Sequence, residues 1–330
     1  MWALNARHLL AAPWDADDVD RLVDHARSHD LSNNINTNET VPTPARMESI
    51  TSRLESIHRA FPIHTFPAPH TPAPHGGAPV LHIFPTKSRG ARVWGDGHAS
   101  LDVECVRYQA LAAFSNYTCQ LQQTFCHDAS PTGRLPFLVT PDGAVHGGRD
   151  IEGVVTREAG DIDARLSEPD RADCRTYAAL VDAKITLALM YSLWMDEDNM
   201  TKYTSLLHGS FYVPLLGRWV ARSLRSKIMV WIESRRPSVA RDEVYEEART
   251  ALSALSTRLG ASLYFFGTKP TTLDAIVFAN LHVILSSRTP HAELFQAVNR
   301  HDNLVQYTRR VWNTYFAPNR DSFSGSTSSQ

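Results

Sequence analysis

The sequence predicts an α/β domain built on a mixed sheet, followed by an all-helical domain. Three observations carry this. Short apolar strand patterns are confined to residues 79–147, strand patterns vanish after 165 where helical ones follow one another, and a proline-rich run sets both regions off from the N-terminal segment.

Within the first region, "PVLHIF" reads as a strand, "RGARVWGDGHAS" as a glycine-rich loop, and "DVECVRYQALAAFS" as a helix with Val103, Val106, Ala110 and Phe114 on one face. "YTCQLQQTF" alternates as a second strand and "LPFLVT" is a third. "PDG" marks a turn into a short fourth strand, "AVHG", and "RDIEGVVTREAG" closes the region as a helix. The order β-α-β-β-β-α within about 80 residues is the reduced thioredoxin-like arrangement. Pro136 falls at the start of the third strand, where a proline does not interrupt a central ladder, and in this arrangement its peptide bond is expected to be cis.

The second region offers helical segments at 170–195, 201–235, 241–259, 271–285 and 302–316, joined by short connections as in a helical bundle. Upstream, 16–28 and 44–60 carry helical patterns. They are followed by "FPIHTFPAPHTPAPHGGAP", whose prolines favour an extended connector. The expected organisation is an N-terminal extension and linker at 1–77, the thioredoxin-like domain at 78–160, the helical domain at 161–317 and a polar tail at 318–330.

Composition narrows the function classes. The 330 residues are 43% hydrophobic and 21% charged with a formal net charge of -2, so no general basic excess points to nucleic acid as a partner. Cys105, Cys119, Cys126 and Cys174 form no CxxC pair and no zinc spacing, which reads as reduced, buried thiols. His64, His70 and His75 stand in the connector without a Cys or acidic cluster beside them, so they read as exposed linker histidines, and no metal or cofactor is expected. The acidic residues of "DADDVDRLVDHARSHD" contradict both a secretory and a mitochondrial presequence. The longest apolar run, "ITLALMYSLWM", is well short of the roughly 20 residues that span a bilayer.

The run "FFGTKPTTLDAIVFANLHVIL" places Asp274 three residues after Thr271, the spacing of a capping box. Thr271 caps the helix, Asp274 reaches back to the Thr271 N–H, and Phe265, Phe266, Ile276 and Phe278 are expected to surround the cap. Combined with the upstream sheet and Pro136, this box resembles the glutathione-transferase-like architecture over about residues 79–316.

That resemblance implies two places to inspect. After the first strand a transferase needs a hydroxyl or thiol to hold the glutathione thiolate, but the chain has Thr86, Ser88 and then a long loop. At the start of the helix after the fourth strand it needs Glu or Gln followed by Ser, but the chain reads "HGGRD" at 146–150. A transferase-like body lacking these signals, with "VLHIF", "DVECVRYQALAAF", "GRLPFLVTPDG" and the capped run, resembles the metaxin family. Its first helix carries the family's "ECVRYQ"-type pattern, with Tyr108 where tryptophan is more usual.

The metaxin resemblance implies a non-catalytic, peripheral subunit of the mitochondrial outer-membrane sorting and assembly machinery, on the cytosolic face. It looks most like the smaller metaxin-like subunit of fungi. The implied partners are the membrane-embedded β-barrel subunit, a second metaxin-like subunit and β-barrel precursors with their β-signal. Membrane contact would come through a partner. The candidate docking or membrane surface is Phe211, Tyr212, Val213, Leu215, Leu216, Trp219, Arg222 and Arg225, around Pro214 and Gly217, which are expected to interrupt the helix. Seven basic residues stand against Glu233 between 202 and 236. The same pattern also fits core residues with a solvated basic face, and periodicity does not separate the two. The alternative functions are a glutathione-dependent transferase or peroxidase with an atypical site, and a soluble scaffold of the same fold. Glutathione retention with turnover distinguishes the first, and absence from outer membranes the second.

Overall fold

A computed structural model describes residues 77–86, 99–124, 129–209, 214–236 and 240–317, with side chains left undescribed at 209 and 214–219. These residues fall in one compact unit, 72–330. The expected N-terminal helices, the proline-rich connector with its histidines, most of the "RGARVWGDGHAS" loop, Cys126 and the polar tail lie outside the described residues.

Strand β1, Val80–Ile83, is buried at every position, as is β3, Phe137–Val139. Both are covered on two faces, which is why they read as continuous apolar runs and not as alternation. Strand β2, Gln120–Gln123, pairs parallel to β1 with Val80 opposite Gln120. β3 runs antiparallel to β1, and β4, Val145–Gly147, antiparallel to β3. The order β2-β1-β3-β4 is the thioredoxin-like sheet expected from the sequence, and the Leu135–Pro136 bond is cis.

Helix α1, Val103–Phe114, links β1 to β2, and its N-cap Asp102 accepts from the Cys105 N–H at 2.9 Å. Helix α2, Arg149–Ala159, turns Ile151, Val154 and Val155 inward.

The helical half comprises α3, Glu168–Leu180; α4, Leu187–Trp194; α5, Glu197–Asn199; α6, Ser205–Gly209; α7, Pro214–Arg235; α8, Arg241–Leu259; α9, Thr272–Ser286; α10, Glu293–Asn299; and α11, Asp302–Tyr315. Two π-helical stretches, Val181–Thr186 and Met200–Thr204, join α3 to α4 and α5 to α6. Helix α9 is apolar around most of its circumference and is buried from Leu273 through Leu281. That is the pattern of a helix enclosed by others. It packs on α1, α3, α10 and α11, so one continuous core joins the sheet half to the helical half.

Three expectations need correction. The segment 201–235 is not one helix but is divided into the π-helical Met200–Thr204, α6 and α7. Pro214 stands at the start of the 22-residue α7, where a missing N–H is not needed, and Gly217 does not break that helix but lies within it. The helix α10 was also missed, because seven residues give too short a window for a periodic signal.

Among the described residues no single helix is long and apolar enough to cross a membrane. Glu168–Trp194 and Glu197–His208 pass such a test only as a pair bent by 63°. Val181, Ile185, Leu187, Ala188 and Leu189 of the first member are core residues.

Candidate functional site

Where β1 ends, the backbone is closed off by side chains of α1 and of Ser100 just before it. The Phe84 N–H donates to Cys105 Sγ at 3.3 Å, and Ser100 Oγ donates to the Phe84 carbonyl at 2.8 Å. Ser100 Oγ also accepts from the Asp102 N–H, and the Ser100 N–H donates to Gln109 Oε1. Thr86 Oγ1 accepts from Gln123 Nε2 at 3.1 Å. The two described hydroxyls at this mouth are therefore committed to internal bonds. Thr86 and Ser100 are 4% and 1% exposed, out of reach of a ligand thiolate.

The thiols here are inert by the same logic. Complete burial pushes Cys105 well above the ordinary thiol range, with Asp102 adding to the effect, and burial pushes Cys119 up to about 12. A thiol held protonated is neither nucleophile nor metal ligand.

The wall leading away from this mouth is charged. Glu104 lies 3.8 Å from Arg107, which also approaches Glu152 at 3.9 Å. Burial raises the Glu104 carboxyl against the pull of Arg107. From the helical half, Asp182 is raised by burial and lies in the opposing fields of Arg107, Arg235 and Arg149. A pocket for an apolar electrophile would be lined by apolar side chains.

The second transferase-like position is the start of α2. Gly148 occupies the N-cap at φ 57°, with no side-chain cap. A Cβ at Gly147 would meet Ser130 and Thr132 side-chain atoms at 3.1 Å, so the loop before β3 closes over the turn. Arg149 and Asp150 point to solvent. In place of Glu or Gln followed by Ser, this helix start has Gly148, Arg149 and Asp150.

The start of α9 is its opposite. The capping box between Thr271 and Asp274 is present, and both residues are fully buried. Asp274 Oδ2 accepts from the Thr271 N–H at 2.8 Å and from its hydroxyl at 2.7 Å. Oδ1 accepts from the Phe265 N–H at 3.2 Å and the Tyr307 hydroxyl at 3.1 Å. Burial pushes the carboxyl up to about 6 against the pull of these four donors. Phe265 touches the cap through its N–H and its ring packs on Tyr307, Ile276 and Phe278 are buried further along α9, and Phe266 lies under the Arg258 guanidinium.

A second carboxylate, which sequence reasoning missed, completes this helix start. Asp163, in the segment joining the two halves, accepts from the Thr272 N–H at 3.0 Å and from the Thr272 hydroxyl. Arg165, two residues on, donates to the carbonyls of Lys269 and Pro270. The connector is thus stitched to the loop that precedes α9.

The candidate docking residues are only partly brought together. Phe211, Tyr212 and Val213 lie outside the described residues, and the side chains of Leu215, Leu216 and Trp219 are not described. Arg222 is exposed. Arg225 turns inward instead, pairing with Glu197 at 3.0 Å and donating to the Met195 carbonyl.

Residues 248–311 match the family described as "Glutathione S-transferase, C-terminal domain", and 105–223 match "Outer mitochondrial membrane transport complex protein". Human Metaxin-2 is 30% identical over 193 residues, covering 57% of this chain and 72% of that one. The chain belongs to the metaxin family. Metaxin-3 of Xenopus laevis is 28% identical over 238 residues, 68% of this chain and 76% of that one. Mouse Metaxin-1 is 29% identical over 237 residues, 69% and 74% respectively. Among solved structures, a glutathione transferase of Phanerochaete chrysosporium gives a TM-score of 0.49 at 12% identity, over 73% of this chain and 98% of that one. In this metaxin-family chain the α9 cap falls inside the matched C-terminal region, and all but the first two residues of α1, with the whole of β2–β4, fall inside the other match.

Proposed function

We propose that this chain is a non-catalytic, peripheral subunit of the mitochondrial outer-membrane sorting and assembly machinery, on its cytosolic face. It binds the central membrane-embedded β-barrel subunit beside a second metaxin-like subunit, and helps recognise and insert β-barrel precursors through their β-signal. The observation that carries this reading is the match of residues 105–223 to a family of outer-membrane transport complex proteins, within a chain of the metaxin family. Two features of the site support a non-catalytic role: the committed hydroxyls at the β1 exit and the uncapped, glycine-led start of α2.

Native electrophoresis of detergent-solubilised outer membranes tests it. The chain is expected to comigrate with a β-barrel membrane protein, and to show neither retention on immobilised glutathione nor turnover of a generic electrophile. Retention with turnover, and no comigration, would replace the reading with that of an atypical glutathione-dependent enzyme.

A further inference from the structure

The sheet ends on one side at β2, which carries Gln120, Leu121, Gln122 and Gln123 and, among the described residues, pairs with β1 alone. The Gln120 N–H donates to the Pro79 carbonyl at 2.8 Å and the Thr124 N–H to the Ile83 carbonyl at 2.9 Å. In a parallel ladder alternate residues of a strand bond to the same neighbour, so Gln122 also faces β1. The N–H and C=O groups of Leu121 and Gln123 therefore point the other way, along an edge to which no described strand is added.

Sheet edges are ordinarily blunted by lysine, proline, a bulge or an inward charge. None of β2's residues is charged or a proline, and its register with β1 is unbroken from Val80 opposite Gln120 to Ile83 opposite Gln123. The three glutamines are exposed, while Leu121 packs against the core. Gln120 and Gln122 share one face of the strand, Leu121 and Gln123 the other. The end of the strand is fixed by the Gln123 side chain, which donates to Thr86 Oγ1 at 3.1 Å and accepts from the Thr86 N–H at 3.4 Å. The opposite edge strand, β4, is one residue shorter and is crowded at Gly147, where a Cβ would meet Ser130 and Thr132 side chains at 3.1 Å.

We infer that the outer edge of β2 accepts an extended, amphipathic strand of a β-barrel precursor, which adds to the sheet through the backbone groups of Leu121 and Gln123. The inference rests on the subunit role proposed above and deepens it by giving the precursor a place on this chain. Three points choose this occupant. A row of unpaired N–H and C=O groups is matched by another extended backbone. The two faces of the edge, glutamines on one and Leu121 on the other, suit the alternation of a barrel strand, polar inward and apolar outward. Two outward residues are too few for lasting pairing with a second copy, which needs about 800 Å² per partner, and suit a strand that is held and then passed on.

The test uses the full chain and a synthetic peptide of alternating valine and serine, with the same residues arranged in blocks as control. Amide hydrogen exchange read by NMR should slow roughly tenfold at Leu121 and Gln123 when the alternating peptide saturates the chain, and stay unchanged at Gln120 and Gln122, whose N–H groups already bond to β1. The block peptide should slow neither. Gln123→Pro removes one outward donor while leaving the β1–β2 bonds in place, and should weaken the alternating peptide roughly fivefold. Gln122→Ala should leave its binding unchanged. No binding, binding without slower exchange at Leu121 and Gln123, or equal slowing by both peptides overturns the inference. Slowing that appears without peptide as protein concentration rises also overturns it, making the edge a contact between copies. Native gels of solubilised outer membranes keep the two readings apart. Comigration with a β-barrel protein but no protection of the edge contradicts the docking edge, and protection of the edge without comigration contradicts the subunit role.

Discussion

Two helix starts in this molecule are built in opposite ways. At α9 two carboxylates collect the donors around the helix start: Asp274 takes Thr271, Phe265 and Tyr307, and Asp163 takes Thr272. At α2 the N-cap is Gly148 with no side chain to offer, followed by exposed Arg149 and Asp150. The first start lies in the shared core. The second is where the transferase-like architecture would hold a ligand. The start of α9 is thus held by side chains from three parts of the chain, and the start of α2 is led by a glycine.

The comparison breaks most readily at Asp274. Asp274→Ala leaves the Thr271 N–H and hydroxyl, the Phe265 N–H and the Tyr307 hydroxyl without an acceptor in a dry core, and should cost about 3–5 kcal/mol in chemical denaturation. Thr271→Ala should cost about 2 kcal/mol, more than a solvent-exposed cap because no water can replace the lost partner. Asp163→Ala should cost a similar amount. A cost below 0.5 kcal/mol at all three would mean that this helix start is not a stability centre.

Acidity sharpens the picture. Burial lowers His82 to about 4, where it stacks on Phe137 at 4.3 Å, and lowers His282 to about 4 between Phe278 and Trp312. A folded pKa below the ordinary 6.5 means that stability is fully present above that pH and is lost as pH falls towards 4. Asp274 works in reverse. With a folded value raised to about 6, its burial favours the fold below pH 4, and that advantage disappears as pH rises through 6. His82→Phe keeps an aromatic ring against Phe137 and removes one titration. Thermal midpoints measured from pH 7 to 4.5 should fall less steeply in this variant than in the parent. Equal slopes would mean that His82 is not held neutral in the fold.

The smallest effect is expected at the other helix start. Arg149→Ser places a hydroxyl at the head of α2, on an exposed position, and should move stability by less than about 0.5 kcal/mol. Glutathione retention should be absent before and after the change. A gain of retention would show that a single hydroxyl restores a ligand site, and so that the site was intact apart from it.

Much of this was legible in the sequence because the signals were local. "VLHI" and "FLV" are buried strands with no competing helical period, and the Thr271–Asp274 spacing is fixed by one turn of helix. What was not legible was long-range. Asp163 meets Thr272 across 109 residues, from a connector with no periodicity, and Tyr307 reaches Asp274 from another helix with no motif to announce it. The division of 201–235 is hard to place because proline's effect depends on position: inside a helix it breaks the ladder, and at the first turn, where Pro214 stands, it begins one. The inward turn of Arg225 was likewise invisible, since α7 carries basic residues on more than one face.

The most direct test of the central claim is crosslinking mass spectrometry on native complexes from detergent-solubilised outer membranes. The account predicts crosslinks from this chain to a membrane-embedded β-barrel protein, with none from ligand-bound dimers of a soluble enzyme. Recovery of the chain only in the soluble fraction, crosslinked to itself and eluting from immobilised glutathione with turnover, would contradict it.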